Sequence, residues 1–160
     1  MKLISKFAAR SVDKVAAGEW YVHEFRGSKV FGMVVKTSDG NPAAFVFSVR
    51  DDCGVPWVAT GDHSHTVLQL SGIELRPDLH SVHFNRPVVG ELVSANDKLY
   101  MKGTVPSAYG DELTIDLSKG VAEIIGEVPR ASFSRWTAGF VLDGKWETLF
   151  EYPKDVAKTA

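Results

Sequence analysis

Cysteine is nearly absent from this chain of 160 residues, since Cys53 is the only one. A lone cysteine excludes an internal disulfide, which favours a reducing compartment. No apolar run approaches the roughly 18 residues of a membrane-spanning helix. The formal net charge is only -2, so the charge of the chain does not indicate nucleic-acid binding. We therefore expect a soluble, cytoplasmic protein with no transmembrane segment and no nucleic-acid partner.

Sequence motifs of common enzymes are also missing. The chain has no P-loop, no dinucleotide-binding glycine fingerprint and no G-x-S-x-G elbow. Cys53 follows Asp51 and Asp52, whose negative charges raise the pKa of a thiol and so argue against an activated thiolate. These absences favour a non-catalytic function, and they leave the question of enzymatic activity open.

Short runs of alternating apolar and polar residues are abundant. Two such runs lie in Val30–Arg50, where Asp39 and Gly40 supply a turn and Pro42 stands at the start of the second run. Period-2 alternation on both sides of a turn predicts a β-hairpin with one apolar face. Residues 140–152 predict a second hairpin in the same way.

The remaining runs predict a mostly β protein. They follow one another at short spacing without a linker, so we expect a single domain over residues 1–160, with a β-rich core over 18–152 and a flexible tail over 153–160. The pattern is typical of an antiparallel β-barrel or a two-sheet β-sandwich. Gly18-Glu19-Trp20 resembles the G-x-W that opens the first strand of lipocalin-like barrels, and this resemblance favours the barrel.

Residues 1–17 show helical periodicity instead. Apolar side chains fall on one face, while Lys2, Lys6, Arg10 and Lys14 recur every fourth residue on the other. This pattern predicts an N-terminal amphipathic helix packed on the sheet. A basic amphipathic helix with few acids is also typical of an organellar transit peptide, so that alternative stays open.

Histidines form the main candidate site. His63 and His65 are two residues apart, so they share one face of a strand. The alternation of side chains between the two faces places His83 on the polar side of its own strand. We expect these three to converge on a divalent metal such as zinc, with Glu74 or Asp62 as a further ligand. The order H-x-H, Glu, His is similar to that of cupin barrels, although the spacing from His65 to Glu74 is longer here.

His80 falls on the other side of its strand. It shares that side with Val82 and Phe84, which predicts a histidine that faces the core.

Three functions are compatible with these patterns. The preferred one is a non-catalytic binding module for a small molecule or a protein partner, with the loop aromatics Trp57 and Tyr109 as ligand contacts. The second is a small metal-dependent, cupin-like enzyme that uses the histidines. The third is a structural or assembly subunit, for example of a virion, which forms a homo-oligomer through its strand edges.

Overall fold

The computed structural model describes residues 7–25, 27–47, 56–59, 65–105 and 111–153. Within these ranges the chain forms strands and two short 3-10 turns, Val12–Lys14 and Leu79–Ser81, and no α-helix. The strands in chain order are β1 (Phe7–Ser11), β2 (Trp20–Phe25), β3 (Ser28–Lys36), β4 (Pro42–Val46), β5 (Trp57–Ala59), β6 (Thr66–Leu70), β7 (Glu74–Pro77), β8 (Val82–His83), β9 (Leu92–Ala95), β10 (Lys98–Thr104), β11 (Glu112–Asp116), β12 (Val121–Ala122), β13 (Ala131–Phe133), β14 (Trp136–Leu142) and β15 (Lys145–Tyr152).

Two sheets contain these strands. The larger sheet has the hydrogen-bonded order β1-β6-β2-β3-β12-β11-β10-β9-β13-β8, while β4 lies between β3 and β5, and β5 also pairs with β10. The smaller sheet has the order β15-β14-β7. Among the described residues, the β5–β10 and β3–β12 pairs are parallel and the other pairs are antiparallel. The prediction of a mostly β fold is therefore confirmed.

The predicted N-terminal helix is wrong where the structure describes it. Phe7–Ser11 is strand β1, and it pairs antiparallel with β6. The buried Val12 and Val15 lie in and just after a 3-10 turn. A weak helical preference is readily overridden by tertiary context, and here strand β6 supplies hydrogen-bonding partners for β1. Residues 1–6 of the predicted helix lie outside the described residues.

The hairpin predicted over Val30–Arg50 is confirmed in its described part. Strands β3 and β4 pair antiparallel, and Gly40 takes a φ of 81° in the turn between them. The prediction of a single apolar face is wrong, because Met33 is 0% exposed on one face and Val34 only 6% on the other. The hairpin therefore lies between two layers of packed side chains, the main core and a smaller cluster around Tyr21. Residues 48–50 lie outside the described part.

Aromatic rings fill the main core around Phe47. Five rings lie with their centroids 4.7–6.2 Å from that of Phe47, namely those of Trp20, Phe31, Phe45, Trp136 and Phe150. Each such aromatic pair adds about 0.5–1.5 kcal/mol to the stability of the fold, beyond the stabilisation that comes from burying its surface. This cluster joins the two sheets, because Trp136 and Phe150 belong to the smaller one.

The second predicted hairpin, β14–β15, is confirmed with one difference. The register shifts so that Ala138 faces Phe150 and Gly139 faces Thr148, which makes Leu149 the extra residue of a β-bulge. A bulge reverses the alternation beyond it. Trp146 and Thr148 therefore lie on one face and Phe150 on the other, whereas simple alternation predicts a shared face.

Candidate functional site

A groove lies between the loop after β8 and the segment after β12. Its larger part encloses about 640 Å³ and is lined by residues that include Arg86, Ile124 and Arg130. An adjoining depression of about 500 Å³ shares Arg86 and Arg130 and adds Phe84 and Val128. We refer to both parts together as the loop groove, with Phe84, Arg86, Pro87, Ile124, Val128 and Arg130 as its defining residues.

Two large apolar side chains of the loop groove are exposed. Phe84 is 79% exposed and Ile124 is 94% exposed. Val88, in the middle of the same loop as Phe84, is 59% exposed. Burial of one such side chain is worth about 1.5–3 kcal/mol, so a partner that covers these side chains gains binding free energy.

The charges of the loop groove are unevenly compensated. Lys102 on its floor lies 3.3 Å from the Glu112 carboxylate, and Glu123 lies 3.2 Å from the ammonium of Lys98. Among the described residues, no carboxylate forms an ion pair with Arg86 or Arg130.

One of these two arginines is fixed by the backbone. Arg130 donates from Nη2 to the Gly126 carbonyl at 3.0 Å. The loop groove therefore presents two guanidinium groups beside exposed apolar side chains.

A partly buried pair, His83 and Glu91, supports the loop that carries Phe84. The His83 Nε2 lies 2.9 Å from Oε1 of Glu91, which is 7% exposed. A carboxylate only accepts hydrogen bonds, so Nε2 donates. The other oxygen of Glu91 accepts from the Val88 backbone amide at 3.1 Å. One acidic side chain thus holds the start and the middle of the loop.

The far end of the loop is anchored to the smaller sheet. The Trp136 indole donates to the Gly90 carbonyl at 2.9 Å, and the Tyr152 hydroxyl lies 3.4 Å from the Val89 carbonyl oxygen. Burial, together with the nearby Glu91 charge, raises the pKa of Tyr152, so the phenol stays protonated and can donate. The loop that carries Phe84 is therefore held by hydrogen bonds at its start, its middle and its end.

A charged network adjoins the loop groove, which it meets at Glu123. Asp116 is 0% exposed, and its carboxylate accepts from the Ser118 amide at 2.9 Å and from the Ser118 hydroxyl at 2.6 Å. The Lys98 ammonium lies 3.2 Å from the other oxygen. Burial alone would raise the pKa of Asp116, but the hydrogen bonds from Ser118 and Lys98 outweigh it and hold the pKa below its ordinary value.

The same contacts act on the lysine. Hydrogen bonds to Asp116 and Glu123 raise the pKa of Lys98 to about 12. Both partners of the Lys98–Asp116 pair are therefore charged at neutral pH.

The predicted metal ligands have separate surroundings. His83 binds Glu91, while the His65 ring lies 4.6 Å from that of His23. Glu74 is exposed and lies 3.6 Å from the Arg76 guanidinium. Within the described ranges, no group of three His, Cys, Asp or Glu side chains is arranged to hold a metal ion. His63 and Asp62 lie outside those ranges, so the three-histidine site stays a prediction.

The other predicted site residues have mixed outcomes. Trp57 is partly buried and packs against the cluster that contains Tyr21, and Tyr109 lies outside the described residues. Their proposed role as ligand contacts stays a prediction. His80 is exposed, so its predicted core position is wrong. It lies in the Leu79–Ser81 turn, where strand parity does not apply.

The loop groove was not predicted from the sequence. Alternation places Phe84 on an apolar strand face, whereas the structure gives both Phe84 and Ile124 irregular backbone. The turn residues in Asn85-Arg86-Pro87 are the one local signal that the chain leaves the sheet here.

Comparisons with known proteins give no family for this chain. The chain matches no known protein-family model, no curated protein sequence and no solved structure.

In the described part, no helix is long and apolar enough to cross a membrane.

Proposed function

We propose that this protein is a non-catalytic binding module whose loop groove holds an extended acidic segment of a partner protein. The observation that carries the proposal is the combination of two exposed apolar side chains, Phe84 and Ile124, with two arginines that have no ion-pair partner among the described residues. Apolar anchors with adjacent charge are the usual composition of a peptide-binding surface.

Charge complementarity selects the occupant. Lys102 and Glu123 already have partners of opposite sign, so Arg86 and Arg130 supply the excess positive charge of the loop groove. A guanidinium binds a carboxylate through two parallel hydrogen bonds, which gives geometric selectivity for Asp and Glu side chains. The bound segment therefore carries acidic residues beside at least one apolar anchor.

The shape of the surface favours a peptide over a small molecule. Ile124 is 94% exposed and Phe84 79% exposed, so these side chains project outward from the rim instead of enclosing a cavity. Small ligands are usually bound in concave sites that bury most of their surface. A protein segment that runs along the rim can cover both side chains at once.

We also infer that part of the larger sheet closes into a barrel beneath this surface. The strand pairs β3–β4, β4–β5, β5–β10, β10–β11, β11–β12 and β12–β3 trace a complete circuit of neighbours. Closure removes free strand edges within the circuit and gives the loops a rigid base. This arrangement supports a function carried by loops.

The strand edges give less support to an assembly subunit. The long edge strand β15 carries the charges of Lys145, Glu147 and Glu151 and contains the bulge at Leu149. Charged residues and bulges on an edge strand oppose pairing with a second chain. We therefore rank self-assembly below peptide binding.

The enzyme alternative also has less support. The partly buried acid–base pair His83–Glu91 does not line either part of the loop groove, and its two hydrogen bonds hold the loop. A catalytic pair needs access to a substrate. We therefore rank catalysis below peptide binding.

Selection from a display library of random 12-residue peptides tests the proposed function. The wild-type protein should enrich peptides that combine Asp or Glu with aromatic or aliphatic residues. The double variant Arg86→Glu, Arg130→Glu should lose this enrichment, whereas Lys145→Glu, a charge reversal on the exposed edge strand, should retain it. Enrichment that is absent, or that is equal for all three proteins, would contradict the proposal.

A further inference from the structure

We propose that His23 and His65 form a two-imidazole site for one late first-row divalent metal ion, of which Zn²⁺ is the probe used below. The centroids of the two rings lie 4.6 Å apart with an angle of 50° between the ring planes. This pair lies on strands β2 and β6, contributes nothing to the loop groove and does not depend on the proposed function.

Strand register brings the two rings together. Strands β2 and β6 are antiparallel, with Trp20 opposite Leu70 and Val22 opposite Leu68. The same register places His23 opposite Val67, and His65 is two residues from Val67 on the same face. Such diagonal neighbours across a strand pair are within reach of ring side chains. A hydrogen bond of 3.0 Å from the Val12 amide to the His65 carbonyl fixes the backbone at this position.

The separation of the rings fits shared coordination. An imidazole nitrogen binds zinc at about 2.0–2.1 Å, which puts the ring centroid roughly 3.2 Å from the metal. Two rings on one metal then have centroids about 4.5 Å apart at a right angle and about 5.2 Å apart at the tetrahedral angle. The observed 4.6 Å lies within this range.

The surroundings leave a nitrogen and a solvent path for the ion. His23 Nδ1 lies 3.4 Å from the Glu24 carbonyl oxygen, so a proton on Nδ1 leaves the lone pair on Nε2 as the ligand. His65 is exposed, which lets an ion enter from water and keep water in its other coordination positions. Imidazole ligands favour zinc, copper and nickel over magnesium and calcium.

Titration of the untagged full-length protein with Zn²⁺, followed by calorimetry, tests this site. We expect one ion per chain and no comparable heat with Mg²⁺. His23→Asn and His65→Asn should each weaken Zn²⁺ binding by about tenfold or more, because the second imidazole acts at high effective concentration. His80→Asn, which changes an exposed histidine in the Leu79–Ser81 turn, should leave binding unchanged. Absence of Zn²⁺ binding, or binding that His23→Asn leaves unchanged, overturns the proposal.

A second measurement keeps the test valid if a variant folds poorly. In the wild-type protein labelled with ¹⁵N in its histidine rings, Zn²⁺ should shift the resonances of His23 and His65 together. The resonances of His80 and His83 should stay in place. Shifts of the His65 ring without those of the His23 ring would show that His23 is not a ligand and would overturn the proposal.

Discussion

His83 and Glu91 are joined by a hydrogen bond of 2.9 Å that closes the loop carrying Phe84 and Arg86. The same carboxylate also accepts from the Val88 amide, so one buried side chain fixes two points of the loop. The exposed rim of the loop groove therefore depends on a contact that lies beneath it. This relationship separates residues that contact a partner from residues that only position the loop.

Glu91→Ala tests the positioning role. The change leaves the His83 Nε2 and the Val88 amide without their acceptor, so we expect a loss of about 1–3 kcal/mol in the free energy of unfolding. Urea denaturation measures the loss, and binding of acidic peptides should weaken in parallel. Glu147→Ala, an exposed acid on β15, is the matched control and should change neither quantity. Equal stability of the two variants would mean that the His83–Glu91 pair does not hold the loop.

Phenylalanine truncation at two positions should have opposite effects. Phe47 is 2% exposed and packs among five aromatic rings, so Phe47→Ala should cost about 3–5 kcal/mol of stability. Phe84 is 79% exposed, so Phe84→Ala should leave the melting temperature unchanged and weaken peptide binding about tenfold or more. Thermal melts and peptide titrations of both variants separate the two roles. A stability loss at Phe84 as large as that at Phe47 would place Phe84 in the core.

Two lysine substitutions test the network around Asp116. Lys98→Met leaves the buried Asp116 carboxylate without its cation, so we expect a loss in the free energy of unfolding that clearly exceeds that of the control. Lys102→Met is the control, because its partner Glu112 is largely exposed, and the expected loss is about 0–1 kcal/mol. Chemical denaturation gives both values. Similar losses of stability in the two variants would indicate that the cost of removing a lysine does not depend on the burial of its acidic partner.

The lowered pKa of Asp116 predicts an acid-dependent stability. Since the native pKa lies below the ordinary value, the unfolded state binds more protons as the pH falls, and the stabilisation by Asp116 decreases. This contribution is complete above the ordinary carboxyl range near pH ~4 and disappears as the pH falls through the native pKa. The stability difference between wild type and Asp116→Asn, from urea unfolding at pH 7 to 2, should therefore shrink with acid. A difference that does not depend on pH would exclude this linkage.

The strand content was predictable because alternation and turn chemistry are local. The β3–β4 hairpin follows from its apolar residues and from Asp39-Gly40, and the sequence predicts it correctly. The two-sided burial of the hairpin does not follow, because it depends on Tyr21 and Val67 from strands elsewhere in the chain. In β15 the alternation fails at Leu149, since a one-residue bulge leaves no distinct local signal.

The N-terminal segment and the loop groove show the same limit. Residues 7–11 show a helical pattern, but each pairs with a residue of β6 that lies 55 to 63 positions later in the chain, and the strand pairing prevails. The contact between His23 and His65 depends on the register between β2 and β6. The alternation of side chains within one strand does not determine this register. The exposure of Phe84 depends on where strand β8 ends, so alternation alone placed this residue on an apolar strand face.

The most direct test of peptide binding is an amide chemical-shift map of the ¹⁵N-labelled protein. Peptides selected for acidic and apolar residues are added to saturation, and wild type is compared with the Arg86→Glu, Arg130→Glu variant. We predict that shifts concentrate in residues 84–88 and 123–130 and vanish in the variant. Shifts that concentrate on β1 or β15, or that persist in the variant, would contradict the assignment of the loop groove as the binding site.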